Sequence, residues 1–262
     1  MIDEFIKNIP KISGIFDTHA HYDDEKFGDD ADALLDYLLS HGVSGIITCG
    51  VDVSSSRKAL ELSKKHNGVY AAVGFHPENL PDGDIVLGKI EELLKQEKAV
   101  ALGEIGLDYH WDIPRQKQIK WFKAQLTLAQ KLSVPVILHD RDAHGDMLEI
   151  IKEYKPRGVL HCFSGSVEMA KEVLDLGLYI GIGGVVTFKN ARKTVEVAKM
   201  LPRERILLET DCPYLAPEPM RGKINHSGMI AFTAEKLAEI RGETVKTVLQ
   251  YTRENVKNLF GI

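Results

Sequence analysis

Ile15-Phe16-Asp17-Thr18-His19-Ala20-His21 is an apolar run that closes on a pair of imidazoles. In a strand, residues i and i+2 project from the same face, so His19 and His21 aim at one point. Imidazole nitrogen is a first-choice ligand for zinc and other divalent transition metals. Two histidines this close also occur by coincidence, and the pair by itself leaves both readings open. Whether other strands of the chain end in further ligands decides between them.

After an acidic loop from Asp23 to Asp30, leucines at 34, 35, 38 and 39 predict a helix over Ala31–Ser40 that Gly42 stops. Strands then follow at Val43–Thr48, Val69–Gly74, Ala99–Leu102, Val134–Leu138, Val159–Leu160, Tyr179–Ile182 and Ile206–Leu208. Between them the apolar spacing predicts helices over Arg57–His66, Ile85–Gln96, Pro114–Leu132, Ala143–Tyr154, Val167–Leu176 and Ala191–Leu201, with a helical tail from Ser227 to Phe260. Regular βα alternation implies a parallel sheet, and eight units in about 250 residues match a closed barrel. The expected fold is a single α/β domain, a (β/α)8 TIM barrel with C-terminal helices over 15–262, preceded by an N-terminal extension over 1–14. A doubly wound sheet is the competitor. It lacks support, because no G-x-G-x-x-G follows the first strand and no phosphate-binding glycine loop occurs.

The 262 residues, 44% hydrophobic and 27% charged, suffice for a full core. A net charge of −5 argues against a generally basic nucleic-acid surface, so any phosphate binding must be local. Cys49, Cys162 and Cys212 form no C-x-x-C pair and are odd in number, which fits a reducing cytoplasm better than a disulfide framework. The first residues, up to Ser13, offer no signal-peptide core, and no apolar run reaches about 18 residues. A soluble cytoplasmic protein is expected, with no membrane association and no obligate protein partner evident.

At or just past the ends of the predicted strands stand His19, His21, His76, Glu104, His139 with Arg141, His161 and Asp211. All strands of a barrel end at one face, where barrel enzymes keep their chemistry. This number of nitrogen and carboxylate groups exceeds the needs of one tetrahedral metal, so two divalent ions are expected. Glu104, between the first pair and the later histidines, is the natural bridge. Blander readings exist for single members: His161 could be a core histidine bonded to a carbonyl, and Cys212 beside Pro213 suggests a turn. His41, His66 and His144 are assigned to the surface, and His110 to the pocket rim. Gly181, Gly183 and Gly184 are read as tight packing of strand seven rather than a phosphate nest.

Six ordered motifs resemble those of TatD-family metal-dependent hydrolases, a branch of the amidohydrolase-like barrels. They are Asp17-Thr18-His19-Ala20-His21, Val73-Gly74-Phe75-His76-Pro77, Gly103-Glu104-Ile105-Gly106-Leu107-Asp108-Tyr109, His139-Asp140-Arg141-Asp142-Ala143, His161-Cys162-Phe163-Ser164-Gly165 and Glu209-Thr210-Asp211-Cys212-Pro213-Tyr214. The resemblance implies that His19, His21, Glu104 and Asp211 hold one metal and that Glu104, His139 and His161 hold the other. It also implies nuclease activity, commonly exonucleolytic on DNA, while some relatives are linked to removal of D-amino acids from tRNA. Two departures stand out. Asp140 replaces a frequent Ser, and Ile224-Asn225-His226 interrupts a basic run that commonly reads Arg-Gly-Lys-Arg-Asn-Glu-Pro.

The leading expectation is a metal-dependent deoxyribonuclease, 3'-5' exonuclease-like, that cleaves phosphodiesters at a single-stranded DNA end by a metal-activated water. Asp211 and Glu104 are the expected catalytic residues, and the ions are magnesium, manganese or zinc. His76, Arg141, Lys189, Arg221 and Lys223 are expected to contact substrate, since loop cations favour an anionic ligand. The same metals would also serve an ester or amide hydrolase, such as a D-aminoacyl-tRNA deacylase. A non-catalytic metal-bearing binding protein is the third reading, against which Glu104 and Asp211 count.

Overall fold

The computed structural model describes residues 9–10, 12–83, 85 and 87–262. Much of the expected extension over 1–14, and Val86 of the helix expected over Ile85–Gln96, therefore lie outside the described residues. The strands are Ile15–Ala20 (β1), Val43–Cys49 (β2), Val69–Val73 (β3), Ala99–Asp108 (β4), Val136–Arg141 (β5), Gly158–Leu160 (β6), Tyr179–Ile182 (β7) and Ile206–Leu208 (β8). The α-helices are Ala31–Ser40 (α1), Val53–Lys65 (α2), Gly88–Leu94 (α3), Arg115–Leu132 (α4), His144–Tyr154 (α5), Val167–Asp175 (α6), Arg192–Met200 (α7), Ile230–Arg241 (α8) and Val245–Phe260 (α9).

Every neighbouring pair from β1–β2 through β7–β8 is parallel, in sequence order. The two edges meet through the Ala20–Cys212 bridge, with Asp211 N donating to His19 O at 3.0 Å and His21 N to Cys212 O at 2.8 Å. The result is the eight-stranded TIM barrel that the alternation predicts. Its interior is apolar: Phe16, Ile47, Cys49, Ala72, Ala101, Ile137, Val159, Tyr179 and Leu207, with every strand represented, form a cluster. Val256, Leu259 and Phe260 of α9 join that cluster. Polar chemistry is thereby confined to the opposite, C-terminal ends of the strands.

Several boundaries differ from expectation for physical reasons. Strand β4 runs on to Asp108, because Gly106 and Asp108 pair with His139 and Arg141 of β5. Glycines in this stretch look like a strand end, but they allow close approach: a Cβ on Gly106 would lie 2.0 Å from His139 O. Helix α2 starts at Val53 because Asp52 caps it, accepting from Ser55 N at 2.7 Å. The tail is two helices, separated at Gly242, which takes φ +65°. His66 is not a surface residue as expected. It is buried, with Nδ1 2.8 Å from Asp36 and Nε2 2.7 Å from Asp32, partners some thirty residues earlier in the chain. Among the described residues, no helix is long and apolar enough to cross a membrane.

Candidate metal centre

His19 and His21 leave the end of β1 with their Nε2 atoms 3.0 Å apart. Glu104 Oε2 lies 3.2 Å from His19 Nε2 and 3.4 Å from His21 Nε2, and Asp211 Oδ1 is 3.5 Å from both nitrogens. Donor separations of this size suit one small divalent ion shared among them, since the edges of a tetrahedral site with bonds of about 2.0–2.1 Å are about 3.3–3.4 Å long. Glu104 turns its other oxygen the opposite way. Oε1 is 2.7 Å from His139 Nδ1 and 2.7 Å from His161 Nε2, and those two nitrogens are 3.1 Å apart. The six expected ligands thus gather as two donor sets that share one carboxylate.

The electrostatics fit a cation. Burial opposes ionisation of Glu104, yet the charges of His161, His19 and His76 and the bond from His139 hold its carboxyl well below the usual range. Burial likewise works against a charge on His139. Its bonds to Asp108 and Glu104 overcome this and raise it to about 10. His161 is also raised, against burial, by Glu104, and His21 by Asp211 and Glu104. Burial followed by the charge of His161 brings His19 down to about 4. Protons therefore sit where buried carboxylates demand positive charge, and divalent ions would displace them.

Supporting bonds orient the donors. His21 Nδ1 lies 2.9 Å from Cys49 O, which makes it a donor and leaves Nε2 free to ligate. Asp17 is buried beneath the pair: Oδ1 accepts from His19 N at 3.2 Å and Thr210 N at 3.1 Å, and Oδ2 accepts from Thr210 Oγ1 at 2.6 Å. Burial raises its carboxyl to about 6, against these bonds. Asp211 itself takes φ +58°, a left-handed conformation that the bond from Asp211 N to His19 O holds in place. Asp108 Oδ2 is 3.1 Å from His139 Nε2, and Gln118 clamps the Asp108 backbone through both N and O. Glu209 accepts from Cys162 N, and its Oε1 lies 3.7 Å from His161 Nδ1. Burial pushes Glu209 up to about 8.

Sequence reasoning passed over Asp17, Asp108 and Glu209 as functional residues. The signal was present: Asp17 and His19, like Glu209 and Asp211, are i, i+2 neighbours. Gly181 owes its lack of a side chain to Glu209, since a Cβ there would lie 2.4 Å from Oε2, and a Cβ on Gly184 would lie 2.6 Å from Leu215 O. The packing expected of strand seven is thus packing against β8 and the loop beyond it.

A cavity of about 730 Å³ opens over the donors, lined by His21, His76, Glu104, His139, His161 and Asp211 together with Arg141, Trp111 and Tyr214. His76 is buried, with Nε2 3.6 Å from Glu104 Oε1, and burial lowers it to about 3. Trp111 rather than His110 lines the mouth. Arg221 and Lys223 line a neighbouring cavity, while exposed Lys189 lines neither. Asp140 reaches into the first cavity, and its Oδ2 lies 2.8 Å from Nδ1 of half-exposed His144. Of the departing loop, Asn225 is buried and donates to Thr210 O and Tyr214 O at 2.9 and 2.7 Å.

A barrel whose strand ends present four histidines and two carboxylates in two sets sharing one glutamate is the framework of a metal-dependent hydrolase. The chain belongs to the TatD family: the family described as TatD related DNase matches residues 16–261. It is 41% identical to the metal-dependent hydrolase YabD of Bacillus subtilis over 253 residues, covering 95% of this chain and 99% of that protein. It is 35% identical to the 3'-5' ssDNA/RNA exonuclease TatD of Klebsiella pneumoniae, covering 95% and 98%. The crystal structure of YjjV, a TatD homologue from Escherichia coli, superposes with a TM-score of 0.89 at 34% identity, covering 95% of this chain and 98% of that one.

Proposed function

We propose that this chain is a 3'-5' exonuclease on single-stranded nucleic acid, dependent on two divalent ions. His19, His21, Glu104 and Asp211 would hold one ion, and Glu104, His139 and His161 the other. When bound, such ions polarise the phosphoryl group and lower the pKa of water at neutral pH. The observation that carries this reading is Glu104, whose two oxygens face separate donor sets. Of the two ligand carboxylates that line the cavity, Asp211, a fifth exposed, is the more open. Burial would raise it, but the bond from His21 and the charges of His19 and His161 hold it below the usual range, so it stands ionised, and its place on the cavity wall makes it the proton acceptor of this reading. His76 accepts from Glu78 N through Nδ1 at 3.2 Å, so Nε2 carries the hydrogen, facing Glu104 Oε1 at 3.6 Å on the cavity wall, where it would be a donor to substrate. Arg141 supplies the basin's fixed cation for a substrate phosphate. The free thiols of Cys49, Cys162 and Cys212 suit a cytoplasmic setting.

End-labelled single-stranded and blunt duplex DNA, incubated with magnesium, manganese or zinc, test this reading. Stepwise shortening of the single strand from its 3' end is expected. Turnover confined to esters would overturn it. One observation favours aminoacyl-ester hydrolysis as a second reading: Asp23, Asp24, Glu78 and Asp140 also line the basin and would suit an ammonium group. D-aminoacyl-tRNA belongs in the same assay.

A further inference from the structure

We infer that the second cavity is a groove for the nucleotides upstream of the scissile bond, so that the chain grips a single strand in two electrostatically opposite compartments. This rests on the exonuclease reading above and extends it to how the substrate is held. The cavity has a volume of about 440 Å³ and shares Tyr214 and Leu215 with the first, so the two adjoin across that ridge.

Their charges differ. The basin is lined by seven carboxylates, Asp23, Asp24, Glu78, Glu104, Asp108, Asp140 and Asp211, and among the described residues lining it Arg141 is the one lysine or arginine. Two bound divalent ions would offset part of that charge around one scissile phosphate, but the walls would repel a second. The adjoining cavity is lined by Lys26, Arg221 and Lys223, and none of the described residues lining it is a carboxylate. A polyanion whose end lies in the basin has its remaining phosphates most favourably placed there.

Two of the three cations lie against aromatic rings. Lys26 Nζ lies 3.9 Å from the centre of the Tyr214 ring, and the Arg221 guanidinium 4.2 Å from that of Phe188. Tyr214 is anchored in turn by its hydroxyl, which donates to Asp24 Oδ2 at 2.7 Å. Leu215 and Ile224 are exposed apolar residues on the same walls and give bases a surface to lie against. Cations on an apolar wall match a single strand, whose phosphates and bases are both accessible. Given 3'-5' polarity, the nucleotides 5' to the cut cross the Tyr214–Leu215 ridge.

Single-stranded oligonucleotides of two, four and eight residues, assayed with manganese at several salt concentrations, test the groove. The kcat/KM of the octamer should exceed that of the dinucleotide by about tenfold or more. Its salt slope should be steeper by about 2, at about 0.7 per phosphate contact on a single strand. Lys26→Ala, Arg221→Ala and Lys223→Ala alter exposed side chains. Each should reduce that slope by about 0.7 and shrink the length gain through KM. A wild-type enzyme indifferent to length, or a length gain that survives the triple variant, overturns the groove and leaves the exonuclease reading standing. Hydrolysis of no oligonucleotide overturns both.

Discussion

Asp108 Oδ2 sits 3.1 Å from His139 Nε2, so the ring of His139 is held from behind and its Nδ1 faces Glu104. Such a partner fixes the tautomer and raises the basicity of a ligating imidazole. Asp108→Asn keeps the shape and removes the charge. It is expected to weaken divalent-metal affinity about 10- to 100-fold, with little change in melting temperature. Titration of metal-free protein in competition with a chelator measures this. Wild-type affinity would show that Asp108 merely fills space.

Glu104→Gln should separate catalysis from folding. The amide occupies nearly the same volume, but it cannot face both donor sets with negative charge. A fall in kcat of about 100-fold or more is expected for loss of a main electrostatic element. Elemental analysis should find fewer ions per chain, while thermal unfolding of the metal-free protein stays close to wild type. Full turnover with both ions retained would refute the shared role.

The barrel was legible because each buried strand reads as a short apolar run between amphipathic helices, a pattern local to a dozen residues. The donor residues were legible for a related reason, since strand ends converge once the topology is known. Local reading failed where the deciding partner is distant. His66 looks like a polar helix end, and only the fold brings Asp32 and Asp36 to both of its nitrogens. Strand β4 looked finished at Leu102 because its glycines mimic a turn, while pairing with β5 carries it on to Asp108. Lys189, one more loop cation in the sequence, is exposed and lines neither cavity, although its neighbour Phe188 lines the second.

Gly181→Ala probes Glu209. The added methyl would sit 2.4 Å from Oε2 and 3.1 Å from His161 Cα, so the buried carboxylate or β6 must shift. Overpacking of this kind costs about 1–3 kcal/mol. The expected outcome is a lower melting temperature together with weaker metal binding, because Glu209 holds Cys162 N and faces His161. Combining the change with Glu209→Ala should restore part of the stability. A Gly181→Ala protein with unchanged stability and metal affinity would show that Glu209 has room to move.

Far from the site, Glu243 gives a prediction whose sign depends on pH. Between α8 and α9 its Oε1 accepts from Arg203 Nε at 3.0 Å and from Arg241 Nε at 3.1 Å. Arg241 also donates to Ala198 O and Leu201 O, both at 2.8 Å, which ties the end of α7 to the C-terminal helices. Burial would raise the Glu243 carboxyl, but the bond from Arg203 and the charge of Arg241 outweigh it and lower the pKa. A depressed folded-state value contributes stability that is present above the unfolded carboxyl's pKa of about 4.3 and is lost as pH falls through the folded value. Glu243→Gln removes that charge. Arg203 is half exposed, so solvent screens part of the interaction, and a loss of about 1–2 kcal/mol at pH 7 is expected. In a chain of this size that corresponds to a drop of about 2–8 °C in melting temperature. The gap between wild type and variant should hold from pH 7 down to about 5, begin to close below the unfolded value of about 4.3, and vanish as pH falls through the lower folded value, where Glu243 is itself protonated. Melting curves of both proteins from pH 3 to 8 measure it, and a gap that stays constant across that range would mean the cost is steric rather than electrostatic.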